Sequence, residues 1–185
     1  MMGRLFWFVA AVFFGVATHL AYVLFTPLIL FQKQFVTITN DKPVNKFFIL
    51  DPTKKNLLIP TSTAQAVVGI CSFDLNLGPI VVSAKLPKSF WTVSIYTQSG
   101  QQVYSLNDIQ AGSNDFTIEL SRAKSIFQQL FGNSSPEDAV PIDSLGWHAE
   151  SNEQFGFVVM WVPLADELMR DTIEATVKDS RCQPK

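Results

Sequence analysis

Apolar and polar positions divide the chain into two unlike parts. From Leu5 to Phe31 no charged residue occurs in 27 positions, and the run reads LFWFVAAVFFGVATHLAYVLFTPLILF. A helix rises about 1.5 Å per residue, so about 20 such residues cross a roughly 30 Å hydrocarbon core. The run predicts a membrane-spanning helix, with Trp7 and Tyr22 suited to the two interfaces and a stop or kink near Phe25, ahead of Pro27. Beyond it the pattern changes to short strands. Phe35–Thr39, Phe90–Thr97 and Asp115–Leu120 alternate, while Ala66–Phe73, Pro79–Leu86 and Phe155–Val162 are nearly continuous apolar runs. Gln102–Leu106 follows the turn Gln98-Ser99-Gly100-Gln101. Two segments carry helical spacing, Ser121–Phe131, with Ser121 as its cap, and Ala165–Lys178.

This pattern predicts a mainly β fold: a single N-terminal transmembrane helix, then an antiparallel β-sandwich or barrel with one or two short helices. The division is 1–31 for the anchor and 32–185 for an extracytoplasmic β domain. A cleaved signal peptide is the alternative, but its apolar region spans only about 7–15 residues, and Ala17-Thr18-His19 is a poor cleavage site. An uncleaved signal anchor is therefore expected. Arg4 precedes the span, and Lys33, Lys42 and Lys46 follow it, so the positive-inside rule gives no clean orientation. A cytoplasmic amino terminus is favoured, because long following domains translocate largely regardless of charge.

Composition excludes several classes. Charged residues are 16% of the chain and apolar types 48%, which is incompatible with disorder. The net charge of −2 lacks the basic footprint of a nucleic-acid protein. Residues 32–185 hold 13 Lys and Arg against 16 Asp and Glu, a net of −3, and are numerous enough for a real core.

The chemistry is sparse. Nucleophile-elbow, phosphate-loop, dinucleotide and zincin motifs are absent from the sequence. No catalytic residue, metal ligand set or cofactor is assigned. His148, in a polar stretch, reads as a surface residue, and His148 with Cys71 and Cys182 matches no zinc spacing. Asp74, Asp108 and Asp143 adjoin turns, where Asp bonds its own backbone. Cys71 and Cys182 are either a disulfide tying down the tail, the favoured reading outside the cytoplasm, or a buried thiol and a tail thiol. His19, polar in mid-span, is a candidate contact to a second helix. Asn133-Ser134-Ser135 fits the glycosylation triplet.

Phe73-Asp74-Leu75, Gly78-Pro79-Ile80, Leu86-Pro87, Phe90-Trp91, Val93-Ser94-Ile95-Tyr96 and Tyr104-Ser105-Leu106-Asn107-Asp108 form a block. It resembles the bacterial domain-of-unknown-function family 1254, in its short membrane-anchored members; the closing Arg181-Cys182 is similar too. The resemblance covers most of residues 40–185. It implies a jelly-roll-like β domain at a Gram-negative envelope, partnered by a second membrane-anchored β-domain protein of the family 1214 type. It supplies no catalytic residues. Physically the block reads as fold grammar, with a turn at Gly78-Pro79, Trp91 in the core and a hairpin closed by Asn107-Asp108. Trp91, Tyr96, Tyr104, Asn107 and Asp108 are the candidate ligand contacts. The expected function is a binding or assembly module on a bitopic inner-membrane protein, the alternative an anchored hydrolase acting on glycans.

Overall fold

The computed structural model describes residues 2–40, 42–51, 65–123 and 146–185. Helix α1 runs without a break from Met2 to Thr39, through Pro27. The expected stop near Phe25 does not occur, and Phe35–Thr39 is helix rather than strand. The register of α1 points Phe35 at an apolar sheet face, and that packing outweighs the local β preference of Val36-Thr37-Ile38-Thr39. The helix also extends eight residues past the boundary expected at Phe31.

Among the described residues nine strands follow: β1 (Phe48–Ile49), β2 (Ala66–Asp74), β3 (Ile80–Lys85), β4 (Thr92–Thr97), β5 (Gln102–Asn107), β6 (Asp115–Arg122), β7 (Trp147–Ser151), β8 (Phe155–Pro163) and β9 (Arg181–Pro184). They form a five-stranded sheet in the order β1-β2-β8-β4-β5 and a four-stranded sheet in the order β7-β6-β3-β9. Two further α-helices lie among the described residues, α2 (Asp108–Ala111) and α3 (Arg170–Lys178). The pairing is antiparallel except between β6 and β7, which run parallel from Ile118↔Trp147 to Arg122↔Ser151. An all-antiparallel sandwich is therefore corrected to a mixed one. Parallel neighbours need a long crossover, and the 24 residues from Ala123 to Gly146 supply the length.

The expected helix at Ser121–Phe131 does not begin where its cap was read. Ser121 and Arg122 continue β6, and the Ala123 amide donates to the Ser151 carbonyl. Residues 124–131, Asp143 and the triplet at Asn133 lie outside the described residues. The expected helix at Ala165–Lys178 is shorter. Asp166 caps a 3-10 turn at Glu167–Met169, which leads into α3.

The core lies between the sheets. Val67, Cys71 and Phe73 of β2, Val93 and Ile95 of β4, and Val158, Met160 and Val162 of β8 face Ile80 and Val82 of β3 and Phe116, Ile118 and Leu120 of β6. Ile173 and Val177 of α3 join this core. Two strand glycines mark close approaches. A Cβ on Gly69 would lie 2.2 Å from Val177 Cγ1, and one on Gly156 would lie 2.2 Å from the Tyr96 carbonyl and 2.5 Å from the Phe73 ring. Cys71 and Cys182 form a disulfide, which joins β2 of one sheet to β9 of the other.

The two outer faces differ. That of the four-stranded sheet is polar, carrying Ser83, Thr117, Glu119 and His148. That of the five-stranded sheet is apolar over β2 and β8, with Val68, Ile70, Phe157 and Val159 buried beneath Phe35 of α1, and polar over β4 and β5, where Ser94 pairs with Ser105.

Candidate functional site

Period-two alternation divides the five candidate ligand contacts between two faces. Trp91 precedes β4 and points inward with Val93 and Ile95; it is 0% exposed, and its ring lies 5.0 Å from that of Phe116. Tyr104 pairs with Ile95 in register and packs on the same core. Burial there pushes its phenol above the ordinary value. Asn107 and Asp108 adjoin this corner. The hairpin closure expected of them is instead a helix start: the Asn107 side chain accepts from the Gln110 amide at 2.8 Å, and the Gln110 side chain accepts from the Asn107 amide at 3.2 Å. The Asp108 amide donates to the Trp91 carbonyl at 3.3 Å. Trp91 Nε1 and Asp108 Oδ1 are buried without a hydrogen-bond partner. Trp91 and Tyr104 thus face the core, Asn107 and Asp108 begin α2 beside the Trp91 carbonyl, and Tyr96 points to the opposite, outer face.

Around Tyr96 stands a group of aromatic residues that the sequence reading missed. The Tyr96 and Phe157 rings stack at 5.3 Å, Phe35 stacks on Phe157 at 4.9 Å, and Phe31 lies 5.7 Å from the same ring. Phe31 also sits against Gly100 in the β4–β5 turn, where an added Cβ would lie 2.9 Å from its ring. Gly100 has φ +86°, so the turn both requires glycine's backbone freedom and leaves the space Phe31 occupies. One signal was available. β2 and β8 are apolar on consecutive residues, as strands covered on both faces are. The cover over one face is the last part of α1.

Two open grooves flank the β3–β6 pair where it outruns its neighbours. One, of about 500 Å³, lies beside the α3–β9 turn and is lined by Ser83, Lys85, Asp115, Thr176, Asp179 and Arg181 among others. The other, of about 420 Å³, lies on the far side of β6, with Ser113, Asp115, Thr117 and Trp147. The hydroxyls and opposed charges of the first suit polar ligands, while the second offers hydroxyls and the Asp115 carboxylate. On the outer face Glu119 accepts from Lys185 Nζ at 2.9 and 3.0 Å and lies 3.8 Å from His148 Nε2. His148 therefore belongs to β7, not to a polar loop. Among the described residues no group of three His, Cys, Asp or Glu is placed to hold a metal. His19 lies exposed on the apolar stretch of α1.

No family model matches the chain, and no curated protein matches it. Among solved structures it is similar to the VPA0106 protein from Vibrio parahaemolyticus, with a TM-score of 0.59 at 11% identity over 84% of this chain and 34% of that one. An uncharacterised protein from Burkholderia cenocepacia aligns with a TM-score of 0.48 at 12% identity, over 74% of this chain and 36% of that one. The chain thus spans about a third of the length of either protein. The likeness to the Vibrio protein is one of fold.

Proposed function

We propose that this chain is a bitopic bacterial inner-membrane protein whose periplasmic β domain is a binding or assembly module of the cell envelope. The observation that carries this reading is α1. Residues Gly3–Thr37 have a mean hydropathy of 2.1 in their most apolar window, and none of that window is buried. A helix so apolar and so bare suits a lipid solvent. The Cys71–Cys182 bond supports the compartment, since structural disulfides persist in oxidising surroundings such as the periplasm. A cytoplasmic amino terminus follows from that placement of the β domain. The jelly-roll-like character and membership of family 1254 are part of this proposal, supported by two packed sheets and by the block from Phe73 to Asp108. A family 1214-type membrane protein is the proposed partner.

The test is an alkaline phosphatase fusion after Lys185 in a Gram-negative host, paired with in-cell crosslinking and detergent capture. Phosphatase activity in the membrane fraction and a single stoichiometric membrane partner are expected. An inactive or freely released fusion overturns the topology. Recovery of the protein alone overturns the assembly role.

A further inference from the structure

Helix α1 serves two environments without a linker. The charge-free run ends at Phe31, and Phe31 is already seated on Gly100 of the β4–β5 turn. Four residues later Phe35 is buried on Phe157, Val68 and Ile70. The helix is continuous through this transition. If Leu5–Leu24 fills a roughly 30 Å hydrocarbon core, the six residues Phe25–Leu30 add only about 9 Å before the first docked ring. A total bilayer of roughly 40–45 Å leaves about 5–7.5 Å of headgroup on each side, so the first docked ring lies at the outer edge of that layer.

We propose that the β domain is seated directly on the lipid headgroups, with the β4–β5 turn, Gln98–Gln101, lying in the headgroup layer beside Phe31. The partner of this surface is the bilayer itself, and the inference rests on the anchor reading above. The chemistry of the turn suits the position. Its residues are uncharged and polar, and it is held rigid from within: Glu153 accepts hydrogen bonds from the Ser99 amide at 3.0 Å and from the Ser99 hydroxyl. Tyr96, on the adjoining face, is amphipathic like the rings that line membrane interfaces. Because Phe31 and Phe35 are both docked, the domain keeps one orientation to the membrane. Residues beyond Thr39 lie farther out, by about 12 Å along the axis for the eight residues after Phe31.

The test uses the full chain in phosphatidylglycerol/phosphatidylethanolamine vesicles. The native cysteines are joined, so a nitroxide is placed singly at Val16→Cys, Gln101→Cys or Lys42→Cys, and its collisions with oxygen and with a water-soluble nickel chelate are measured. Expected is an oxygen-rich value at position 16, a headgroup value at 101, and an aqueous value at 42. Position 16 in lipid with 101 as aqueous as 42 overturns the seating and leaves the anchor standing. An aqueous value at position 16 overturns the anchor, and the seating with it. Adding Phe31→Ala to the position 101 label is expected to shift it toward the aqueous value; no shift counts against Phe31 as the fixing contact.

Discussion

Cys71 of β2 is bonded to Cys182 of β9, so one covalent link crosses the core and holds the last strand against the opposite sheet. β9 is a four-residue edge strand, and the bond closes a sequence separation of 111 residues. Closing a loop of about 100 residues is worth about 4–5 kcal/mol in the chain-entropy model, and removing native disulfides costs about 2–5 kcal/mol. Urea unfolding of the detergent-solubilised chain is expected to show a loss in that range on reduction, and in Cys71→Ala/Cys182→Ala. An unchanged midpoint in both would show that β9 is held by its strand pairing to β3 alone.

Trp91 is a core residue, whatever else it contributes. Fully buried against Phe116, it should cost about 3–5 kcal/mol when cut back to alanine. Trp91→Phe tests the nitrogen separately. It keeps an aromatic ring over Phe116 and removes a buried donor that has no partner, so its cost should fall well below that of alanine. Equilibrium unfolding of the two variants decides the matter. If phenylalanine proved as damaging as alanine, the indole nitrogen would be making a contact of its own.

Tyr104 gives the stability an alkaline edge. Its phenol titrates above the ordinary value because burial disfavours the phenolate. Below pH about 10 the proton is on in both the folded and the unfolded chain, and the group has no pH-dependent effect. Above that, the unfolded chain releases the proton first, so it binds fewer protons than the folded chain and stability falls as pH rises, until the folded-state value is passed. The difference between wild type and Tyr104→Phe should therefore be flat from pH 7 to 9 and slope above 10. A flat difference across the whole range would place the phenol in water.

Much of this fold was legible in the sequence, and the misses share a cause. The strands built on long apolar or alternating runs, β2, β3, β4, β6 and β8, were read within a residue or two. β1, β7 and β9 were not; they are two to five residues long and exist because a neighbour offers an edge. Phe35–Thr39 alternates like a strand, yet continues a helix already nucleated upstream and buries Phe35. The candidate site fared similarly. Trp91 and Tyr104 face one core because β4 and β5 are adjacent in sequence and space, Asn107 and Asp108 start α2 beside Trp91, and Tyr96 is separated from them by the outer face it occupies. The partners of Tyr96 come from residues 31, 35 and 157, a separation that periodicity does not register.

The Phe35–Phe157 stack, at 4.9 Å, is the contact on which the docking of α1 depends. Truncating a buried phenylalanine removes several kcal/mol where the site cannot collapse, and about 2 kcal/mol is a modest estimate at the edge of a face. That energy holds the helix turn containing Lys33, an exposed tryptic site two residues before Phe35. Cleavage after Lys33 requires the turn to open locally, so its rate follows the population of the undocked form. Phe35→Ala should raise that rate by roughly thirty-fold, the factor equivalent to about 2 kcal/mol. Phe157→Ala should act similarly, and the double variant should cost less than the two singles together, because each removes the same contact. Cleavage unchanged by either, or effects that simply add, would mean that the helix end is held by something other than this pair.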